Sequence, residues 1–133
     1  MLIKKVLEQY PNLLKEIEKL NKRITKLEEQ TTMVSDVVQN GYKRHAVIFG
    51  VDQVRLNKLT LLRNVLKERE EIALEQRIQI EMFINNIKES DIRQIFEYRY
   101  IDNLSWIEIQ LEMKYKHEDT ARKKHDRYLK KIL

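Results

Sequence analysis

The side chains best suited to acid–base or metal chemistry are three histidines, His45, His117 and His125, and their spacing serves neither purpose. His117 and His125 stand eight residues apart, two helical turns, with no Asp, Glu or His at i+3 or i+4 to complete a ligand set. Cysteine is absent, so there is no thiolate nucleophile, no disulfide framework and no Cys-based zinc site. Gly41 and Gly50 are the only glycines, too few for a phosphate-cradling loop. The acidic pairs Glu28-Glu29 and Glu70-Glu71 fall in helical patterns, where sequence neighbours point apart, and read as solvated surface. No catalytic residue, metal site or cofactor is expected, and the chain does not read as an enzyme. His125 falls on the inward face of a helical pattern, as a hydrogen-bonded core residue would.

What the sequence does organise is positive charge. Residues 114–133 hold eight Lys/Arg against Glu118, Asp119 and Asp126, a net of +5 that equals the net charge of the whole chain. Residues 1–113 therefore balance, with 18 basic and 18 acidic side chains. In a chain that is 35% charged, a basic run alone reads as a solvated helix. Concentration of the entire excess in one terminal segment reads instead as an electrostatic footprint.

The elements ahead of that segment decide how it is presented. Residues 91–101 place Ile92, Ile95, Phe96 and Tyr100 on one helical face, with Ser90 as the expected N-cap and Asp102-Asn103 as the stop. A second helix opens at Ser105, where Glu108 three residues on predicts a capping box, and it buries Trp106, Ile109 and Met113. A third, over residues 118–132, turns Ala121, His125, Tyr128, Leu129 and Ile132 inward and leaves Arg122, Lys123, Arg127 and Lys130 mainly outside. Short helix, tight turn and basic helix follow one another in the order of a helix-turn-helix, with Trp106 as the core anchor of the pair.

On these residues the chain resembles a known family. The run RYIDNLSWIEI, then MKY, then EDTARKKHDRYLKKIL is similar to region 4 of bacterial sigma factors, and more similar still to small phage regulators of the RinA and ArpU type. The matching positions are Arg99, Tyr100, Ser105, Trp106, Glu108, Ile109, Thr120, Arg122, Arg127 and Leu129, and the similarity covers residues 83–133. Gln110 stands where the family usually has a small Ala, and Lys114 where a Gly often closes the turn, which is one residue longer than in sigma factors. The resemblance implies DNA binding in transcription control, on phage or prophage genes.

In such a domain the N-terminal half of the third helix enters the major groove, with Glu118, Asp119, Arg122 and Lys123 nearest the base edges. Arg122 suits guanine O6 and N7, and an acidic neighbour suits cytosine N4. Lys114, Lys116, Lys124, Arg127 and Lys131 would hold phosphates and set register, helped by the dipole of the helix N-terminus.

Two Gly and one Pro in 133 residues leave little room for a turn-rich sheet fold, so an all-α chain is expected. No apolar run approaches the roughly 18 to 20 residues of a membrane span, and the N-terminus lacks a signal-peptide core; a cytoplasmic protein is expected. Over residues 1–30, Ile3, Val6, Tyr10, Leu13, Ile17, Leu20, Ile24 and Leu27 recur at steps of three and four, a coiled-coil stripe. Leu7 and Leu14 widen it. The stripe suits either pairing with the chain's own second long helix or a homodimer. Pro11 is expected at N1 of a helix beginning near Tyr10.

Residues 31–51 lose the helical period, and Asn40-Gly41 lies between two runs rich in β-branched and aromatic residues. A connecting loop or a small β-hairpin with a type I′ turn is expected there, with Tyr42, Lys43, Arg44 and His45 at its tip. Asp52 then reads as the cap of a second long helix reaching Lys88, with Leu59, Leu62, Leu66, Ala73, Ile80, Phe83 and Ile87 inward. The expected architecture is thus a long, coiled-coil-like helical hairpin over residues 1–88, then a helix-turn-helix domain over residues 89–133. The expected partners are double-stranded DNA and RNA polymerase, with the N-terminal helices open to homodimerisation. A small terminase subunit reading packaging-site DNA is the nearest alternative, and a polymerase adaptor that never touches DNA is the alternative from another class.

Overall fold

The computed structural model describes the backbone of residues 2–38 and 42–132, and the side chains of residues 3–30 and 53–132. Among the described residues every regular element is helical: α1 (Leu2–Val38), α2 (Tyr42–Asn85), α3 (Ser90–Phe96), a π turn (Glu97–Ile101), α4 (Trp106–Met113) and α5 (Asp119–Ile132). α1 and α2 form the expected hairpin-like pair. The chain divides into two compact units, one of residues 14–72 and the other of residues 1–13 with 73–133.

In the unit of residues 14–72, Leu20, Ile24 and Leu27 of α1 share a core with Leu59 and Leu62 of α2, and Val65 and Leu66 pack against it. Glu16 pairs with Arg69 at 3.2 Å and Glu28 with Arg63 at 3.5 Å, so partner numbers fall along α2 as they rise along α1. That is antiparallel pairing. Exposed ion pairs of this kind contribute at most about 1 kcal/mol each. Burial of a Leu or Ile contributes about 1.5–3 kcal/mol, so the apolar seam rather than the charges holds the pair. The N-terminal stripe is therefore used within the chain at Leu20, Ile24 and Leu27.

The other unit buries Leu7 and Tyr10 of α1, Ala73, Ile80, Ile84 and Ile87 in and just past α2, and Ile95, Phe96, Tyr100, Ile109 and Ala121 from the C-terminal elements. Phe96 is its aromatic centre. The ring stacks on His125 and Tyr100 at 4.7 and 5.8 Å and meets the edges of Phe83 and Tyr128 at 5.5 and 5.7 Å.

Five sequence expectations are corrected. Pro11 lies inside a continuous α1 rather than at a helix start. An interior Pro costs about 3 kcal/mol, but Leu7 and Tyr10 on either side of the lost hydrogen bond are both buried, and that burial offsets it. Helix also continues where a loop or β-hairpin is expected: α1 runs to Val38 and α2 starts at Tyr42 rather than at Asp52. Extending a helix adds a hydrogen bond for each residue fixed, and β-branched residues weaken it by only about 0.7 kcal/mol each, whereas an isolated two-stranded hairpin is marginal in water. The Asn40-Gly41 turn itself lies outside the described residues.

Ser90 is the first residue of α3 and not its cap; Glu89 holds the cap position without a side-chain bond, and the Ser90 hydroxyl accepts from Gln94. Ile132, expected inward, is exposed. It lies in the last turn of α5, with Leu133 beyond it outside the described residues.

Candidate nucleic-acid interface

The C-terminal helices are set by local chemistry first. α2 ends at Asn85, and the carbonyls just past its end would be left without partners. Arg93 reaches back to them, donating from Nε and Nη2 to the Ile87 carbonyl at 3.1 and 2.8 Å and from Nη2 to the Lys88 carbonyl at 3.2 Å. One guanidinium thus joins the entry of α3 to the exit of α2. The helix then widens into the π turn, closed by Asp102 N–H donating to the Glu97 carbonyl at 3.0 Å. Asn103 takes the left-handed conformation at φ 56°, which Asn tolerates better than most residues, and the pattern stops where Asp102-Asn103 predicts.

α4 opens on the predicted capping box. The Glu108 amide donates to Ser105 Oγ at 3.2 Å, and the Ser105 amide donates to Glu108 Oε1 at 3.1 Å. Those bonds to Ser105, the backbone one first, hold the Glu108 carboxyl below the usual range. At the other end Lys114 sits at φ 58°, and the amides of Lys114 and Tyr115 donate to the carbonyls of Leu111 and Gln110 at 3.2 and 3.0 Å. That is a Schellman closure, with a Lys where Gly is the usual choice. Gln110 fills its own position by donating from Nε2 to the Tyr115 carbonyl at 3.1 Å. Gln110 and Lys114 therefore serve the same turn.

α5 packs by one face. Ala121 and His125 are buried, and Tyr128, Leu129 and Lys124 are half-buried. The His125 ring stacks on Phe96 and meets Trp106 edge-on at 5.0 Å. Trp106 is half-buried and carries the Arg99 guanidinium over its ring at 4.4 Å, while Arg99 also donates to the Leu104 carbonyl at 3.2 Å. Desolvation lowers the His125 pKa, and Arg99 acts in the same direction; the hydrogen bond and charge of Asp126 oppose them. A neutral ring with its proton on Nδ1 donates to Asp126 Oδ1 at 2.9 Å and leaves Nε2 to accept from the Tyr100 hydroxyl at 2.7 Å. Burial pushes the Tyr100 phenol up to about 12.

The opposite face of α5 is open. Asp119, Arg122, Lys123, Asp126, Arg127, Lys130 and Lys131 are all exposed, and Lys114, Lys116, His117 and Glu118 are exposed in the turn before the helix. Of the expected base-contacting residues, Glu118, Asp119, Arg122 and Lys123 thus lie together around the start of α5. Arg122 Nη2 is 3.2 Å from Asp119 Oδ1, an exposed pair. Of the expected phosphate-contacting residues, Lys114, Lys116, Arg127 and Lys131 are solvent-facing.

Lys124 is placed differently. Its Nζ donates to Asp91 Oδ2 at 2.9 Å and to the Tyr115 hydroxyl at 3.3 Å, and lies 4.9 Å from the Tyr115 ring centre. The Asp91 bond is the main reason that the Lys124 pKa is raised and, reciprocally, that the Asp91 pKa is lowered. Lys124 therefore braces α5 against the first turn of α3. Its partner is 33 residues away, beyond the reach of any periodicity argument. Arg93 could have been suspected as a basic residue just past a helix end; the Asp91–Lys124 bridge and the Tyr100–His125 bond had no local signal.

Among the described residues no three His, Asp or Glu side chains converge as metal ligands would, and no helix is long and apolar enough to cross a membrane. No family model, curated protein or solved structure matches the chain.

Proposed function

We propose that this chain is a sequence-specific DNA-binding regulator of phage or prophage transcription, with α5 as the helix that enters the major groove. The observation that carries the reading is the division of α5 into two faces. Ala121 and His125 anchor one face, while Arg122, Lys123, Arg127, Lys130 and Lys131 are exposed on the other. These five cations outnumber Asp119 and Asp126 on that face. Such a helix is positioned by a closed turn and a capped partner, which keeps the orientation of its side chains fixed before any ligand arrives.

Arg122 is the proposed guanine reader. Its exposed pairing with Asp119 is worth no more than about 1 kcal/mol, so the guanidinium can exchange that carboxylate for a base edge at little cost. Lys114, Lys116, Arg127 and Lys131 would take phosphates. RNA polymerase remains a proposed partner, since regulators of this type act on it.

A bandshift with the full chain, run on duplexes selected from a random pool and on a scrambled duplex at two salt concentrations, tests the proposal. Selective retention of the enriched duplex, with affinity falling steeply as salt rises, is the expected result. Failure to enrich any sequence, or absence of binding at low salt, would overturn it.

A further inference from the structure

The surface of α2 carries a second organised patch, on a different helix from the cations of α5. Leu74, Ile78 and Met82 follow one another at steps of four and are 60%, 48% and 62% exposed. Three large apolar side chains in one row along a helix face form the seam that helix-in-groove partners use, not the scattered exposure normal for a surface. The thioether of Met82 adapts readily to a partner's side chains.

The rim of this row is acidic. At about 100° per residue, Glu75 and Glu81 stand about 60° to either side of Ile78. Beyond Glu81 the surface descends into a cleft of about 380 Å³ lined by Glu81, Ile84, Asn85, Glu97, Ile101 and Asp102. The π turn contributes Glu97 and Ile101, so the irregular backbone there also builds one wall. Arg77 is the cation on this flank, and its Nε lies 3.5 Å from Glu81 Oε1. Four carboxylates against one guanidinium leave the patch negative.

That charge selects among occupants. Nucleic acid and anionic lipid would both be repelled. A second copy placed antiparallel about Ile78 would bring Glu75 of both chains to one edge and Glu81 of both chains to the other, like charges on both edges of a thin apolar seam. We propose that the Leu74–Ile78–Met82 row and the adjoining Glu81–Glu97–Asp102 cleft form a docking site for a cationic amphipathic helix of another protein. The partner's apolar residues, spaced by three and four, lie on the row, and a Lys or Arg beside them enters the cleft. The inference is independent of DNA binding, which uses the opposite charge on a different helix.

The test uses the full chain and a synthetic leucine–lysine peptide of about 18 residues, designed as an amphipathic helix, beside a leucine–glutamate peptide of the same pattern. The lysine peptide is expected to bind saturably and to shift the methyl resonance of Met82 while leaving that of Met113 in place. Ile78→Asn combined with Met82→Asn should weaken it at least about tenfold, and Glu97→Gln combined with Asp102→Asn about three- to tenfold with a flatter salt dependence. The methyl readout is made on the unmodified chain, so a folding defect in a variant does not obscure the outcome. Equal binding of the glutamate peptide, an unmoved Met82 signal, or a wild-type dimer that Ile78→Asn converts to monomer would each overturn the proposal.

Discussion

The Tyr100 hydroxyl lies 2.7 Å from Nε2 of His125, and this buried hydrogen bond ties the π turn to the inward face of α5. Both rings also stack on Phe96, so the bond is made where water is excluded. A second polar contact, the Asp91–Lys124 bridge, joins α5 to the first turn of α3. The cationic helix is therefore held by the buried packing of Ala121 and His125, by one hydrogen bond set into the aromatic core and by one half-exposed ion pair.

Acidification should weaken the fold through His125. Its folded pKa is depressed below the ordinary value of 6.5, chiefly by desolvation, so the unfolded chain takes up the proton more readily than the folded one. The resulting stability is fully present above pH 6.5 and is lost as pH falls through the folded value. Thermal melts from pH 8 to pH 5 should show a falling Tm. The charged groups facing the ring are Asp126, which opposes the shift, and Arg99, which reinforces it. His125→Phe should flatten the melt series across this window; an unchanged slope would place the titration elsewhere.

The same pair offers a double-mutant cycle. Tyr100→Phe leaves a buried imidazole nitrogen unpaired and should cost about 1–3 kcal/mol, whereas removing both polar partners together costs less than the two single changes added. Chemical denaturation of Tyr100→Phe, His125→Phe and the double variant measures the coupling. Simple additivity would mean that the hydrogen bond contributes nothing.

Lys114→Gly should stabilise the chain. A non-Gly residue in the left-handed region carries a strain of roughly 1–2 kcal/mol, partly offset by the greater freedom of Gly when unfolded, so a net gain of about 0.5–1 kcal/mol is expected. The change also deletes one exposed cation, so binding to random DNA should weaken slightly while the denaturation midpoint rises. A lower midpoint would show that the Lys side chain is needed for the turn.

Gln76→Leu should also stabilise. Gln76 Oε1 is buried without a partner, and its amide nitrogen makes one long bond, 3.4 Å, to the exposed Gln9. Removing an orphaned acceptor is worth about 1 kcal/mol or more, and Gln9 can turn to water. A destabilised variant would mean that the Gln76 acceptor is satisfied in solution.

On DNA, Arg122→Ala and Lys131→Ala should differ in kind. The first is expected to cost about 1–3 kcal/mol on the selected site and to relax preference at one base pair. The second should weaken selected and random duplexes alike and reduce the salt slope by about 1. Parallel bandshifts on both duplexes separate them. Identical behaviour of the two variants would remove Arg122 from base recognition.

The sequence by itself determines what depends on neighbours in the chain. The Ser105–Glu108 box closes over three residues, Asp102-Asn103 ends its helix because of its own backbone preference, and the concentration of cations after residue 113 is a property of composition. The inward stripe of Leu20, Ile24 and Leu27 followed from helical period alone, although the period left open whether α2 or another chain would cover it. Only the tertiary structure decided that α2 does so, with Leu59 and Leu62. It likewise decided that α1 runs on through Pro11, because burial of Leu7 and Tyr10 offsets the missing hydrogen bond. It assigned Lys124, one of eight similar cations in residues 114–133, to Asp91 across 33 residues. Period and propensity are local quantities of a few tenths of a kcal/mol per residue, while these outcomes depend on which distant groups exclude water together.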